Sequence, residues 1–231
     1  MNDYIFMFFP YITLLVFVLG VVIRIRAWAK SPQPGKMTLF PATQGTEVPG
    51  VIKEALFFPS LFKGDKTLWS FSWIFHATLA LIFIGHVRVF TDFPALWAAL
   101  NINADNMSAT SGGIAGILVM ATLILLLFRR FFVGRVREIS NIADYFALVL
   151  VLAVIITGNM MRFSGHHFDL ELTRAYFSSM LTFSFSAMVV PADTIFRAHF
   201  LLVQLLFIYI PFSKILHFGG IFFTQTLVKQ S

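Results

Sequence analysis

Hydrophobic positions in this chain fall in long unbroken runs. Five stretches, about residues 4–25, 68–90, 112–132, 142–161 and 195–218, are almost wholly apolar. Each has the roughly 20 residues needed to cross the hydrocarbon core of a bilayer, where a helix satisfies every backbone polar group internally. A period of two is absent, which argues against a barrel. The pattern predicts an all-α integral membrane protein, a single membrane domain over 1–231 built as a five-transmembrane-helix bundle.

The connections differ in character. Residues 31–67 open on Ser31-Pro-Gln-Pro-Gly35 and continue into an apolar piece, 51–58, that carries Lys53 and Glu54. That piece reads either as a short helix lying at the membrane interface or as a loop packed beneath the bundle. Residues 101–111 are polar. A basic run occupies 129–137, and the long, partly apolar connection 162–194 is expected to cover one mouth of the bundle.

Composition agrees with the pattern: 58% of residues are hydrophobic, 29 are Phe and only 12% are charged, too few to wet a soluble domain. Charge adds an orientation. With the N-terminus outside and the C-terminus cytoplasmic, the inner side holds Arg24, Arg26, Lys30, Lys36, Lys53, Lys63, Lys66, Arg129, Arg130, Arg135, Arg137, Lys214 and Lys229. Only Arg88, Arg162, Arg174 and Arg197 lie toward the outer side. Thirteen of the 17 basic residues on one side is a positive-inside signature, so the net charge of +6 reports topology and anionic lipid and calls for no nucleic acid. The first span follows Met-Asn-Asp and precedes Arg24 and Arg26, which reads as a retained anchor. The basic inner surface, 129–137 with Lys30, Lys36 and Lys63, reads either as a dock for an electron-transfer partner or as that signature alone. There is no cysteine, which excludes a thiolate-held iron–sulfur cluster, a c-type haem attachment and an internal disulfide.

Four of the six histidines lie inside apolar spans: His76 and His86 in the second, His199 and His217 in the fifth. Ionisable groups are costly there and mark function by default. Ten residues of helix separate His76 from His86 by about 15 Å, and eighteen, five whole turns, separate His199 from His217 by about 27 Å on one face. In antiparallel spans His76 pairs with His217 and His86 with His199, each pair suited to clamp a b-type haem through imidazole nitrogens. The spacings differ by about 12 Å, which helix tilt and a kink at Pro211 must absorb. Three readings of the histidines stay open: bis-histidine haem ligation, hydrogen bonds between helices, and a proton-coupled transport path.

The stretch from Trp69 onward resembles the gamma subunit of respiratory nitrate reductase and its relatives in transmembrane redox complexes of sulfate-respiring prokaryotes. The resemblance rests on Phe75-His76, Gly85-His86, Ser111-Gly-Gly-Ile-Ala-Gly116, the basic run, Phe196-Arg-Ala-His199 and Pro211-Phe-Ser-Lys-Ile-Leu-His217. It implies two haem b groups, the outer on His86 and His199 and the inner on His76 and His217, with menaquinone as substrate. It also implies a cytoplasmic iron–sulfur partner, a periplasmic multihaem cytochrome c in some complexes, and the prokaryotic plasma membrane as location. Quinone-site candidates are Arg88, Asp92, Arg162, His166 and His167; Arg88 and Arg162 read first as interfacial cations or haem-propionate partners, and His166 and His167 read also as solvated loop residues. Gly85 reads as room for a porphyrin or a neighbouring helix to approach closely beside His86. The first connection is longer than in nitrate reductase gamma subunits, which points to the sulfate-respiring branch. The alternative function is a haem-containing anchor that carries electrons between a cytochrome c and a cytoplasmic partner without quinone chemistry.

Overall fold

The computed structural model describes residues 3–30, 47–164 and 169–217. In chain order the helices are α1 (Asp3–Lys30), α2 (Glu47–Phe57), α3 (Pro59–Gly64), α4 (Lys66–His86), α5 (Pro94–Ala99), α6 (Ala104–Phe132), α7 (Gly134–Glu138), α8 (Ile142–Phe163), α9 (Leu170–Leu181) and α10 (Thr194–Tyr209). No strand occurs among the described residues. Among the described residues five helices are long and apolar enough to span a membrane: α1, α4 with its 3₁₀ extension to Val89, α6, α8, and α10 with its extension to Phe212. The starts of α1, α6 and α10 and the ends of α4 and α8 define what we term the first face of the bundle. The opposite ends define the second face.

Several helices begin on a side chain that accepts an otherwise orphaned backbone N–H. Asp65 accepts from Leu68 N, Asn103 from Asn106 N, Asp169 from Leu172 N and Asp193 from Phe196 N. Asn141 and Asp144 form a reciprocal capping box at the start of α8. The Asn103 cap starts α6 well before the predicted apolar run, so much of the 101–111 connection is helix. Asp65 also receives Arg129 Nη2 at 2.9 Å, tying the start of α4 to the end of α6.

The connection piece predicted at 51–58 is helical: α2 and α3 tuck against α4. Trp69 Nε1 donates to Phe57 O at 2.7 Å and Trp73 Nε1 to Leu56 O at 3.1 Å, satisfying carbonyls at the end of α2. The 162–194 connection contains α9, which lies across the first face. Pro10 fixes its place. Lacking an N–H, Pro10 leaves Phe6 O without a helical donor, and the buried Tyr176 hydroxyl fills that vacancy at 2.6 Å. Around this bond Phe6, Tyr176, Met180, Phe196 and Phe200 form a buried cluster.

The fifth span departs from prediction. It was expected to run as a helix over 195–218, but α10 ends at Tyr209. Two 3₁₀ turns follow, Ile210–Phe212 and Lys214–Leu216, separated by the extended Ser213 (φ −119°, ψ 172°). Pro211 cannot donate to the helical ladder, and its ring is buried against Gly20 of α1, where a Cβ would come within 2.6 Å of Pro211 Cβ. The chain therefore turns instead of continuing along the helix axis.

Helix packing runs in series: α4 on α6, α6 on α8, α8 on α10 and α10 on α1. The α6–α8 seam is made close by glycine. A Cβ on Gly116 would overlap Asn159 Oδ1, and one on Gly112 would fall 2.7 Å from Arg162 Nη2. Asn159 Nδ2 donates to Gly116 O at 2.9 Å. Among the described residues α4 and α10, the two ends of the α4–α6–α8–α10 series, form no comparable seam. α4 carries His76 and His86, α10 carries His199, and His217 follows in the broken segment beyond α10.

Candidate functional site

Across the α4–α10 gap the structure brings two histidine pairs together. The rings of His76 and His217 have centroids 5.9 Å apart with planes at 86°. Those of His86 and His199 are 6.4 Å apart with planes at 21°. Two imidazoles bound on opposite sides of one metal, with metal–nitrogen bonds of about 2.0 Å and the ring radii added, have centroids about 6.3 Å apart. Among the described residues no three His, Asp or Glu gather as a metal cluster, so each pair stands as a two-donor site.

The break after α10 eases the spacing difficulty, because the rise of eighteen α-helical residues no longer applies between His199 and His217. His199 lies ten residues before Tyr209, about 15 Å of helix, the same rise that separates His76 from His86. Beyond Tyr209 the broken chain carries His217 across to His76. Asp144 holds that turn by accepting Lys214 Nζ at 2.9 Å, while Tyr209 donates its hydroxyl to Ala143 O at 3.0 Å. The His76 ring is framed edge-on by Phe58 at 5.2 Å and Phe75 at 5.1 Å. Phe58 adopts a left-handed backbone conformation (φ 50°, ψ 47°) between α2 and Pro59, which sets its ring there.

Each histidine engages a carbonyl through the same ring nitrogen. Nδ1 of His76 lies 2.7 Å from Ser72 O, that of His86 2.7 Å from Ile82 O, and that of His217 3.1 Å from Lys214 O. Nδ1 of His199 is 3.1 Å from Val154 O and 3.0 Å from Thr157 Oγ1, both on α8. A carbonyl only accepts, so every Nδ1 carries the hydrogen and every Nε2 keeps its lone pair. That is the tautomer a metal-binding imidazole needs, with Nδ1–H fixed by an outer acceptor.

Two of the quinone-site candidates, Arg88 and Asp92, form a charged cluster with Arg174 and Asp105 just beyond His86 in the chain. Asp92 is saturated: Oδ1 accepts Trp97 Nε1 at 2.7 Å and Phe93 N at 3.0 Å, and Oδ2 accepts Arg88 at 3.1 Å and Arg174 at 2.8 Å. The indole N–H of Trp97 first, then Arg88, hold its carboxyl well below the usual carboxylate range. Arg88 also binds Asp105 at 2.9 Å and Ala104 O at 3.0 Å. Its Nε is buried without a partner among the described residues. Arg162 donates instead to Ser108 O and Ala109 O, clasping α8 to α6. His166 and His167 lie outside the described residues. Gly85 faces open space, with no atom within 4 Å of where a Cβ would stand.

The family described as "Nitrate reductase gamma subunit" matches residues 59–227. The chain belongs to the nitrate reductase gamma subunit family. It is 35% identical to the "Hdr-like menaquinol oxidoreductase cytochrome b-like subunit" of Archaeoglobus fulgidus, over 94% of this chain and 76% of that protein. The Archaeoglobus profundus protein of the same description is 28% identical, over 96% and 78%. The "Respiratory nitrate reductase 1 gamma chain" of Escherichia coli is 31% identical, over 64% of this chain and 69% of its own. Coverage separates these relatives: both Archaeoglobus proteins, from sulfate reducers, align over nearly the whole chain, and the nitrate reductase chain over about two thirds. The longer first connection had pointed to that branch of the family.

All four histidines fall within the matched region of the family. Sequence reasoning missed their supports on α8. Gly158 leaves room for His199: a Cβ there would stand 3.3 Å from His199 Cε1. Thr157 beside it supplies the hydroxyl. Neither residue announces itself in an apolar run, where Thr and Gly read as ordinary small-residue packing.

Proposed function

We propose that this chain is the membrane cytochrome b subunit of a respiratory oxidoreductase complex, exchanging electrons between menaquinol and a partner iron–sulfur subunit through two bis-histidine haems. One observation carries the reading: two histidine pairs, one above the other across the gap between α4 and α10, all four with Nδ1 donating to an acceptor so that Nε2 keeps its lone pair. The names of the Archaeoglobus and nitrate reductase relatives support it.

The residues fit the group. His86 with His199 would hold one haem b and His76 with His217 the other, and each haem would supply a one-electron carrier inside the membrane. Arg88 has a buried Nε with no partner among the described residues, a donor suited to a propionate carboxylate. Gly85 leaves space beside His86. The asymmetry of basic residues supports a reading in which the second face is cytoplasmic, the His86–His199 pair lies toward the outside and the His76–His217 pair toward the inside. Quinol chemistry belongs at the first face, with Arg88, Asp92, Arg162, His166 and His167 as candidate contacts. With Asp92 saturated by four donors, its role there is to fix Arg88 and Arg174 while another group takes the quinol proton.

The alternative, an electron-transfer anchor without quinone chemistry, draws on the same saturation, because the described polar groups of the first face are largely committed to one another. Reduced-minus-oxidised spectra with pyridine haemochrome quantitation test the shared core, and two haems b per chain are expected. Reduction of those haems by a menaquinol analogue then separates the two readings: rapid reduction supports the quinol site, and none supports the anchor.

A further inference from the structure

We infer that Thr157, on a helix that offers no histidine of its own, is the positioning residue that adds a second acceptor to the Nδ1–H of His199 and tunes the electron affinity of the His86–His199 haem alone. The inference rests on the proposed function.

The four histidines are not held alike. His76, His86 and His217 each use a carbonyl three or four residues earlier in their own segment, acceptors that no side-chain substitution deletes. His199 reaches across to α8 and meets a side chain there. The direction of that bond follows from counting hydrogens. Thr157 Oγ1 lies 2.9 Å from Ala153 O and 3.0 Å from Val154 O, so its single hydrogen is committed to its own helix. Toward His199 Nδ1, at 3.0 Å, it can only accept. Its oxygen and Val154 O therefore share the Nδ1–H and orient Nε2 away from α8. Gly158 permits the approach, since any larger residue would crowd His199 Cε1.

An acceptor on the distal N–H makes a ligating imidazole more electron-rich. A more basic ligand favours the ferric over the ferrous state, so removing the acceptor raises the midpoint potential. Because Val154 O remains, the expected change in the oxidised-to-reduced ratio at fixed potential is about three- to tenfold, at most ~59 mV for one electron.

The test is a spectroscopic redox titration of the purified complex. His217→Ala serves as background, leaving one haem wave to follow. Thr157→Val should raise that midpoint and shift the low-spin ferric EPR g-values, while Thr157→Ser, which keeps the hydroxyl, should restore both. In the otherwise native chain the other haem should not move. Should Thr157→Val fail to assemble, Thr157→Ala makes the same prediction with less bulk. Unchanged midpoints in the Val and Ala variants, or equal shifts of both haems, would overturn the inference and leave the proposed function standing. Wild-type protein without haem would overturn both.

Discussion

Tyr176→Phe isolates one hydrogen bond whose need is created by a proline in a different helix. Pro10 has no N–H, so Phe6 O inside α1 depends on the Tyr176 hydroxyl at 2.6 Å. Tyr176 is fully buried, and burial pushes its phenol up, so the hydroxyl stays a donor throughout the accessible pH range. Removing the hydroxyl leaves a buried carbonyl unpaired, at a cost of about 1–3 kcal/mol. In a Pro10→Ala background the backbone N–H regained at that position closes the helical bond to Phe6 O, and the same substitution should lose less than half as much. The assay is a double-mutant cycle on unfolding in detergent, followed by circular dichroism. Equal cost of Tyr176→Phe in both backgrounds would refute the reasoning. The readout matters for function, because this bond seats α9 over the face that carries His86 and His199.

Gly116→Ala should destabilise the chain by about 1–3 kcal/mol, since its Cβ would overlap Asn159 Oδ1, whereas Gly134→Ala, in open space, should be close to neutral; thermal denaturation compares them. The depressed pKa of Asp92 contributes stability that is fully present above the unfolded carboxyl value of about 3.9 and is lost as pH falls through the lower folded value. The wild type should accordingly lose stability on acidification below pH ~4 in a step that Asp92→Asn lacks, and coincident acid limbs in pH-jump unfolding would contradict this. Pro211→Ala should let α10 run on past Tyr209, carry His217 away from His76 and cost one haem of two, read by pyridine haemochrome; retention of both would show that the break does not depend on Pro211.

The five spans were legible because apolar runs of spanning length have a single solution in lipid. The histidine positions were legible for a related reason: an imidazole in such a run carries a cost that packing alone does not explain. The end of α10 was not. Pro211 reads in sequence as a kink, and only its burial against Gly20 shows that the chain abandons the helix there. An ideal helix to residue 218 sets His217 about 27 Å from His199 along the axis, and the mismatch comes from that assumption. α9 was read only as a cover because its 12 residues mix Arg174, Glu171 and several hydroxyls with apolar positions and make no long run. Thr157 and Gly158 stayed hidden because their meaning depends on what lies across the α8–α10 seam, which no local pattern encodes.

The most direct test of the central claim is to count haems in single-histidine variants. Purified wild-type protein should show two haems b per chain by pyridine haemochrome. His86→Ala and His199→Ala should each remove the same haem, His76→Ala and His217→Ala the other. Absence of haem from the wild type, or loss of one and the same haem in His86→Ala and His217→Ala, would contradict the account.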